Sequence, residues 1–487
     1  MKSLQQLLRL DLHSRTPIYV QLLNQLIQLI QGGKLVSGQK LPGSRTMAGI
    51  LGIHRNTVTR AYEELQAQGW IEILPNQGTF VVDNLPLPTY LGWDQEETSS
   101  GGVEPIYTYY EFPHLKNPLA DKEILAFDDG LPDIRLAPVA EISRAYGKSL
   151  HQLLQRKRLG YREGLGNWDL RVALAKDLRE TRGMAIGPEH VLITRGTIMA
   201  MHLALASIIQ PGDAFVVGKN NYQTANLVLD HLGAKLLKVS VDAQGLVTEE
   251  LARICQNQPI RGLYITPHHH HPTTVCMSPE RRMHLLQLAK EYNFAVLEDD
   301  YDYDFHYGNS PILPLASGDH QGRVLYVGSF TKAIAPAFRV GYLVGPETLI
   351  QKLPKIRRIW DRQGDEILEA CFADLMEQGV VRRHLRKAAK TYKERRDLCA
   401  QLLHENLGEY VSFELPVGGM AIWAHFAPNI NLRKTQKKAL KEGLFISDGA
   451  RYHPDEPQLN ATRMGFASMN PSELERAVGI LKRAISP

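Results

Sequence analysis

From about residue 122 onward, short apolar runs alternate with stretches whose apolar residues have helical spacing. The runs are rich in β-branched and aromatic residues. They occupy residues 190–194, 214–217, 262–266, 294–297 and 324–327. Buried strands that alternate with helices form a mostly parallel sheet with helices packed on its faces. The sequence therefore predicts an α/β domain over residues 122–487.

The chain is long enough for a second, smaller domain. Its 487 residues fit one small and one enzyme-sized domain, and 44% apolar with 22% charged residues exclude a mainly disordered chain. Residues 84–121 contain several prolines, the run Ser99-Ser100-Gly101-Gly102 and an acidic patch, which together predict a linker. Residues 1–83 are the predicted N-terminal domain.

The excess positive charge lies mainly in that first domain. Residues 1–83 contain 8 Lys/Arg and 5 Asp/Glu, a net of +3, whereas residues 84–487 contain 48 and 47, a net of +1. A basic domain favours a polyanionic partner, although +3 on this length is also within chance. The charge alone does not decide the question.

The cysteines and the apolar runs indicate the compartment. Four cysteines lie far apart without a CxxC motif, which argues against a disulfide framework and a zinc site: Cys255, Cys276, Cys371 and Cys399. The N-terminus lacks the apolar stretch of a signal peptide, and no apolar run approaches the ~18 residues of a membrane span. We expect a cytoplasmic protein with no membrane partner.

Residues 14–82 have the pattern of three helices and a β-wing. Helices are expected from Thr16-Pro17, with Thr16 as N-cap, to Gly32-Gly33, from Ser44 to Gly52 and from about Arg55 to Gln68, and strands at 70–74 and 79–82. The third helix has an apolar face, Val58, Ala61, Tyr62 and Leu65, and a polar start. The first turns of a recognition helix offer such polar groups to base edges and phosphates. A small helical domain with a solvated face would show the same pattern.

The local motifs resemble the winged-helix domain of GntR-family regulators. They are Leu41-Pro42-Gly43-Ser44-Arg45, 51–58 (LGIHRNTV), 61–65 (AYEEL), 69–71 (GWI) and 78–81 (GTFV). The resemblance implies a double-stranded DNA operator as partner, contacted by Arg45 and Arg55, with Asn56, Thr57 and Arg60 close by and Gly78 at the wing tip. His54 stands where the family usually has a serine N-cap, and histidine caps less well.

The second domain contains a lysine in surroundings suited to a Schiff base. Lys332 follows the run 324–327 and is flanked by the apolar segment 333–338. Such shielding matters because an exposed lysine is protonated and not nucleophilic at neutral pH. Arg339 is suited to bind a phosphate through its guanidinium group. The run 294–297 is followed by carboxylates at 298–300, where ligand sites of such sheets form. The turn Gly196-Thr197 comes before a predicted helix and is also suited to bind a phosphate.

These pieces, in this order, resemble the fold-type I aminotransferases over residues 126–485. Gly130-Leu131-Pro132-Asp133 and Gly418-Gly419-Met420 fit as well. With the N-terminal domain, the whole chain resembles the MocR/GabR-type regulators of the GntR family. The resemblance implies pyridoxal phosphate as cofactor and a homodimer, with the subunits head to tail.

The resemblance also assigns roles. The implied cofactor residues are Gly196, Thr197, Tyr222, His271, Asp299, Tyr301, Ser329, Lys332, Arg339 and Tyr161. Lys332 would form the Schiff base, and Asp299, with Asp300 as the near alternative, would pair with the pyridine nitrogen. Tyr161 would reach the phosphate of the partner subunit, although it and Tyr222 also suit an aromatic core. Arg463 would bind the carboxylate of an amino-acid effector.

One segment departs from the family pattern. His271 takes the position of an Asn and Thr274 that of a Gly, which puts catalytic tuning in doubt. The four histidines 268–271 also suggest a metal. In an extended strand only alternate residues share a face, so two ligands are too few for a structural zinc, and no metal is predicted.

The sequence thus predicts a regulator that binds DNA and pyridoxal phosphate. Its small-molecule effector would be an amino acid or pyridoxal phosphate itself. The alternatives are an active aminotransferase with a vestigial N-terminal domain and a cofactor-free scaffold. The intact winged-helix motifs argue against an aminotransferase with a vestigial N-terminal domain. Lys332, Asp299 and Arg339 argue against a cofactor-free scaffold. A regulator that retains half-transamination activity is compatible with the sequence.

Overall fold

The computed structural model describes residues 2–14, 16–83, 108, 124–308, 312–318, 321–453 and 459–485. The chain divides into two compact units, Met1–His114 and Leu115–Pro487. The predicted linker 84–121 lies outside the described residues except for Thr108. Within the described parts of the chain, no helix is long and apolar enough to cross a membrane.

The described part of the N-terminal unit has four helices and a small antiparallel sheet. Its elements are α1 (Lys2–Leu7), α2 (Ile18–Gln31), β1 (Lys40–Leu41), α3 (Ser44–Leu51), α4 (Arg55–Ala67), β2 (Ile71–Leu74) and β3 (Gly78–Val81). The strands lie in the order β1-β3-β2. The predicted helix–turn–helix and wing are therefore confirmed, whereas α1 and β1 were not predicted.

Packing of α4 explains why this unit folds. Its predicted apolar face is buried, at Val58, Ala61, Tyr62 and Leu65. Burial of a side chain the size of Val58 or Leu65 contributes roughly 1.5–3 kcal/mol. The Tyr62 hydroxyl donates to the Pro42 carbonyl oxygen at 2.7 Å, which ties α4 to the turn before α3.

The start of α2 corrects one detail. Pro17, not Thr16, is its N-cap residue, and no side chain caps it. Since the fixed φ of proline already suits a helix entry, the hydroxyl of Thr16 is not needed there.

The larger unit contains fourteen strands and thirteen helices among the described residues. Its strands are β4 (Leu125–Phe127), β5 (Val191–Thr194), β6 (Ala214–Gly218), β7 (Lys235–Val239), β8 (Val241–Asp242), β9 (Gly245–Leu246), β10 (Gly262–Ile265), β11 (Ala295–Asp299), β12 (Val324–Ser329), β13 (Gly341–Val344), β14 (Val411–Ser412), β15 (Ala421–Phe426), β16 (Leu444–Ile446) and β17 (Ala461–Gly465). Its helices are α5 (Val139–Gln155), α6 (Trp168–Arg182), α7 (Thr197–Ile208), α8 (Gln223–His231), α9 (Thr248–Asn257), α10 (Pro279–Glu291), α11 (Phe330–Ala333), α12 (Glu347–Ile350), α13 (Leu353–Trp360), α14 (Glu366–Glu377), α15 (Val380–Leu407), α16 (Leu432–Lys441) and α17 (Pro471–Ile485).

A seven-stranded sheet, in the order β5-β13-β12-β11-β10-β6-β7, forms the centre of this unit. The five predicted runs correspond to β5, β6, β10, β11 and β12, so the mostly parallel α/β sheet is confirmed. β13 runs antiparallel to both of its neighbours, β12 and β5, with Gly341 opposite both Ser329 and Thr194. The amino end of β13 therefore meets the carboxyl ends of β5 and β12 at one edge.

A smaller sheet, β14-β15-β17, packs with α15, α16 and α17 around a second core. The basic segment 382–396 lies in α15, which packs one face against this core. Within α15, Tyr392, Arg395 and Arg396 are buried, and Arg395 pairs with Asp133 at 2.9 Å. α15 is therefore an amphipathic helix, because other cations on it, such as Arg386 and Lys390, are exposed.

Candidate functional site: a polar cavity at the carboxyl edge of the sheet

A cavity of about 290 Å³ lies at the edge where the ends of β5, β11 and β12 meet. Eight of the ten predicted cofactor residues line it: Thr197, Tyr222, His271, Asp299, Tyr301, Ser329, Lys332 and Arg339. Residues far apart in the sequence converge because parallel strands end at the same edge of a sheet. Tyr264, Asp129 and Thr331 also line it and were not predicted.

Lys332 lies in α11, directly after β12. Its Nζ donates a hydrogen bond to the Gly130 carbonyl oxygen. Burial lowers the pKa of the amine, although the charges of Asp129 and Asp128 act in the opposite direction. A lysine with a lowered pKa is more often neutral, which is the form that attacks a carbonyl group.

Asp299, at the end of β11, is the carboxylate that faces the cavity. Its Oδ2 accepts a hydrogen bond from the Tyr264 hydroxyl at 2.9 Å, and its buried Oδ1 has no partner among the described residues. Burial and the nearby charges of Asp300 and Asp302 raise its pKa to about 7, against the hydrogen bond from Tyr264. An unsatisfied buried oxygen is costly, so Oδ1 is suited to accept a ligand N–H.

Asp300 points to other partners and does not line the cavity. Its Oδ2 accepts from the Tyr326 hydroxyl at 2.9 Å and lies 3.3 Å from Nδ1 of His268. Burial disfavours its charge, but the charge and hydrogen bond of His268 lower its pKa. Of the two alternatives left by the sequence, the geometry therefore favours Asp299.

One end of the cavity is suited to an anion. The amino terminus of α7, at Thr197, and the guanidinium of Arg339 lie there, beside Ser329. Gly196 has φ +81°, and a Cβ at this position would lie 2.7 Å from the Arg339 guanidinium. Helix N–H groups and arginine together favour a phosphate. Gly196 thus shapes this end without being among the lining residues.

The four histidines do not form a strand. Residues 268–271 lie in a bend, so the expectation that alternate histidines share a face was wrong. Their partners differ: His269 Nδ1 lies 2.7 Å from Asp302, His270 Nδ1 2.8 Å from Thr273 and His271 Nε2 3.1 Å from Asp129. Within the described residues, no three or more His, Cys, Asp or Glu side chains form a group suited to a metal.

Arg463 and Tyr161 lie outside the cavity lining. Arg463, in β17, is 1% exposed, and its Nε lies 3.3 Å from the carboxylate of Asp129, which does line the cavity. Tyr161 is 75% exposed, and the Arg362 guanidinium lies 3.9 Å from its ring centre. Its predicted role concerns a partner subunit and stays a prediction.

The predicted DNA-contacting residues lie at the start of α4, in α3 and in the wing. Arg45, Arg55, Asn56 and Arg60 are exposed, and Thr57 and Gly78 are half-buried. The Arg60 guanidinium lies 3.9 Å from the ring centre of Tyr19 in α2, so α2 already holds it in place.

His54 caps α4 better than the sequence suggested. Its Nδ1 accepts a hydrogen bond from the Asn56 N–H at 3.2 Å. At the wing, a Cβ on Gly78 would lie 2.7 Å from Cε of Lys40. Lys40 is thus a basic wing residue that sequence reasoning missed, because β1 was not predicted.

Two of the missed cavity residues left a signal in the sequence. Tyr264 lies inside the apolar run 262–266, where a phenol is the one polar side chain before Thr266. Asp129 directly precedes the quoted motif Gly130-Leu131-Pro132-Asp133. A buried tyrosine and a charged residue beside a glycine turn are both reasons to look for a site.

A winged helix joined to a fold-type I aminotransferase domain defines the class of this protein. It is a GntR-type DNA-binding regulator fused to an aminotransferase-like domain. Residues 18–81 match the family "Bacterial regulatory proteins, gntR family", and residues 133–481 match "Aminotransferase class I and II". Since the second match spans more than half of the chain, this chain belongs to the class I and II aminotransferase family.

Similar proteins support both parts. The "Uncharacterized HTH-type transcriptional regulator YdfD" of Bacillus subtilis is 27% identical, over 95% of this chain and 95% of its own. The "Probable rhizopine catabolism regulatory protein MocR" of Rhizobium meliloti is 27% identical, over 98% and 96%. The kynurenine aminotransferase of Pyrococcus horikoshii is 28% identical with a TM-score of 0.69, over 75% of this chain and 91% of its own. The two regulators thus match this chain over almost the whole length of both proteins, whereas the aminotransferase matches about three quarters of this chain.

Proposed function

We propose that this protein regulates transcription by binding an operator through α3, α4 and the wing, while its cavity holds pyridoxal phosphate and senses a small molecule. The observation that carries this proposal is that Lys332, Asp299 and Arg339 converge on one cavity in a chain that also contains a DNA reader. The similar kynurenine aminotransferase is described in complex with PMP.

The residues present fit pyridoxal phosphate. Asp299 Oδ1, buried and without a partner among the described residues, accepts a pyridinium N–H. The lack of a side chain at Gly196 leaves space between this turn and the Arg339 guanidinium, which a Cβ would fill. A phosphate needs such space to approach the backbone N–H groups at a helix start. When bound, the cofactor supplies an aldehyde for a lysine amine and an electron sink. Lys332 is the amine whose pKa burial lowers for this purpose.

The remaining residues orient the ligand. Tyr222 lines the cavity, with its ring 5.2 Å from that of His271, and both flank the space for a planar ring. The Tyr301 hydroxyl donates to the His269 carbonyl oxygen at 2.7 Å, which fixes its oxygen at the cavity wall. Asp299 holds the ring end and Arg339 the phosphate end, so the ligand has one orientation.

The dimer and the effector complete the proposal. We propose a head-to-tail homodimer, in which Tyr161, exposed in one chain, reaches the partner's cavity. The effector is an amino acid or pyridoxal phosphate itself, and its binding shifts a two-state arrangement of the DNA readers. Transamination is the second candidate, favoured by the complete set of Lys332, Asp299 and Arg339 around the cavity.

The first experiment tests the cofactor. Full-length protein loaded with pyridoxal phosphate should show a visible absorption band, and borohydride should attach the cofactor covalently. Lys332→Ala should lose the covalent product, whereas Lys290→Ala, a change at an exposed lysine on α10, should keep it. A trapped product in Lys332→Ala would mean that another lysine binds the cofactor.

The second experiment tests regulation. Genomic fragments bound by the full-length protein identify the operator, and its affinity is then measured for the cofactor-free protein, the loaded protein and the loaded protein with amino-acid mixtures. We expect at least one of these states to differ severalfold in affinity. Identical isotherms for all three would contradict sensing, and turnover of amino acid to oxo acid would favour transamination.

A further inference from the structure

Asp129, in the turn after β4, lies between the cavity and Arg463. It lines the cavity, whereas Arg463 does not. Its Oδ1 lies 3.3 Å from Arg463 Nε and accepts from the Tyr452 hydroxyl at 3.1 Å, and both of its oxygens lie 3.1 Å from His271 Nε2. Arg451 adds a second guanidinium 3.7 Å from Oδ2. Asp129 is thus an anion in a basic, polar surround.

Every nitrogen of the Arg463 guanidinium already has a protein partner. Nε donates to the Asp129 backbone carbonyl oxygen at 3.4 Å and lies 3.3 Å from the Asp129 carboxylate. NH1 donates to the Pro272 carbonyl oxygen at 3.0 Å, and NH2 donates to the Tyr301 hydroxyl at 3.3 Å. A bidentate grip on a ligand carboxylate needs two adjacent N–H groups. Since Arg463 is 1% exposed, its charge also needs a buried counter-charge. Among the described residues, Asp129 is the carboxylate paired with it.

We propose that Asp129 is a specificity-determining residue. Its carboxylate neutralises the charge of Arg463, and the cavity therefore selects ligands that have no carboxylate beside the reacting amino group. A ligand carboxylate would have to displace Asp129 from its partners and would meet its negative charge in the cavity. Of the two proposed effector classes, this favours pyridoxal phosphate itself over an α-amino acid. The inference rests on the proposed function.

The charge state of Asp129 supports this reading. Burial disfavours its ionisation, but His271 and the guanidinium groups of Arg463 and Arg451 outweigh burial and lower the pKa of the carboxyl. Burial lowers the pKa of His271 although Asp129 acts in the opposite direction, so the imidazole is mainly neutral and provides no positive charge. We therefore take the guanidinium groups as the main cause of the lowered pKa of Asp129. Asp129 is therefore an anion throughout the physiological pH range.

The test compares L-alanine with ethylamine, which is the same amine with the carboxylate replaced by hydrogen. Full-length protein loaded with pyridoxal phosphate is titrated with each amine, and the change in the visible band gives apparent affinities. In the wild type, L-alanine should bind no better than ethylamine. In Asp129→Ala, the preference for L-alanine over ethylamine should rise at least tenfold, because Arg463 is left with an open buried charge.

Three further variants test the cause. Asp129→Asn should shift the preference in the same direction while keeping the hydrogen-bonding shape, which covers the case that Asp129→Ala fails to fold. Adding Arg463→Gln to Asp129→Ala should reverse the gain. Asp242→Asn, at a half-exposed carboxylate that pairs with Arg281, should leave the preference unchanged. An unchanged preference in both Asp129 variants, or a strong wild-type preference for L-alanine, would overturn the proposal.

A second readout separates this inference from the cofactor proposal. In cofactor-free Asp129→Ala, sodium acetate should raise the thermal unfolding midpoint more than an equal concentration of sodium chloride does. The increase should also be larger than the increase that acetate causes in the wild type. If no visible band forms in the wild type, the cofactor proposal fails, and this measurement still decides on Asp129. If acetate stabilises the wild type and the variant equally, Asp129 does not occupy the position beside Arg463 that a ligand carboxylate would take.

Discussion

Asp299 offers a test in which stability and cofactor binding change in opposite directions. Replacing it by Asn keeps an oxygen that accepts the Tyr264 hydrogen bond but removes the charge. In the folded protein the pKa of Asp299 is raised from its ordinary value of 3.8 to about 7, chiefly by burial. The folded state therefore binds this proton more tightly than the unfolded state, and deprotonation destabilises the fold.

The rise in pKa corresponds to roughly 4 kcal/mol. This stabilising contribution is complete below pH ~4, is lost as the pH rises toward about 7, and stays lost above it. Asn at this position does not titrate, so its free energy of unfolding relative to the wild type should increase over the same pH range. Between about pH 5 and about pH 8 we expect the relative gain to be roughly 2–3 kcal/mol.

The assay is urea unfolding of cofactor-free, full-length wild type and Asp299→Asn at about pH 5 and about pH 8. Asp242→Asn serves as the control, because its carboxylate is half-exposed. The same variant should bind pyridoxal phosphate at least tenfold more weakly, since Asn does not pair with a pyridinium N–H as an anion does. A stability difference that is independent of pH would refute the buried-charge reasoning, and unchanged cofactor affinity would remove Asp299 from the ring nitrogen.

Three further changes test the DNA reader and the phosphate end. Arg55→Ala should cost roughly 1–3 kcal/mol of operator binding and relax sequence preference, with binding measured over a range of salt concentrations; wild-type affinity would exclude Arg55 from the interface. Gly196→Ala should weaken the binding of pyridoxal phosphate but not that of phosphate-free pyridoxal, because the new Cβ would lie 2.7 Å from the Arg339 guanidinium. Calorimetry measures both affinities, and equal losses for the two ligands would show that Gly196 does not act on the phosphate. His54→Ala should destabilise the N-terminal unit by about 1 kcal/mol through loss of the cap on the Asn56 N–H, and an unchanged urea midpoint would show that the cap contributes nothing.

Much of the fold was predictable because it depends on local patterns. The apolar face of α4 has helical spacing, and Gly52 ends α3 in the left-handed conformation with φ 66°, as its lack of a side chain allows. The buried central strands read as continuous apolar runs because both faces of a parallel sheet are covered. These features need only the residues within one element.

The site was predictable only in part. Motifs in the sequence pointed to Lys332, Asp299 and Arg339, and the structure brings all three to one cavity. The position of Arg339 beside the turn before α7 depends on the pairing of β13 with β5, in which Gly341 lies opposite Thr194, more than a hundred residues earlier in the chain. No local pattern encodes that pairing.

The sequence alone determined the two-part architecture and the helix and strand types, because hydrophobic periodicity and turn residues act over a few positions. The main candidate residues followed from motifs that resemble known families. Only the tertiary structure decided which carboxylate faces the cavity, that Asp129 pairs with Arg463, and that Arg395 and Arg396 of α15 are buried. Those outcomes depend on which charged groups meet across elements, and a buried charge takes its partner from whichever element packs against it.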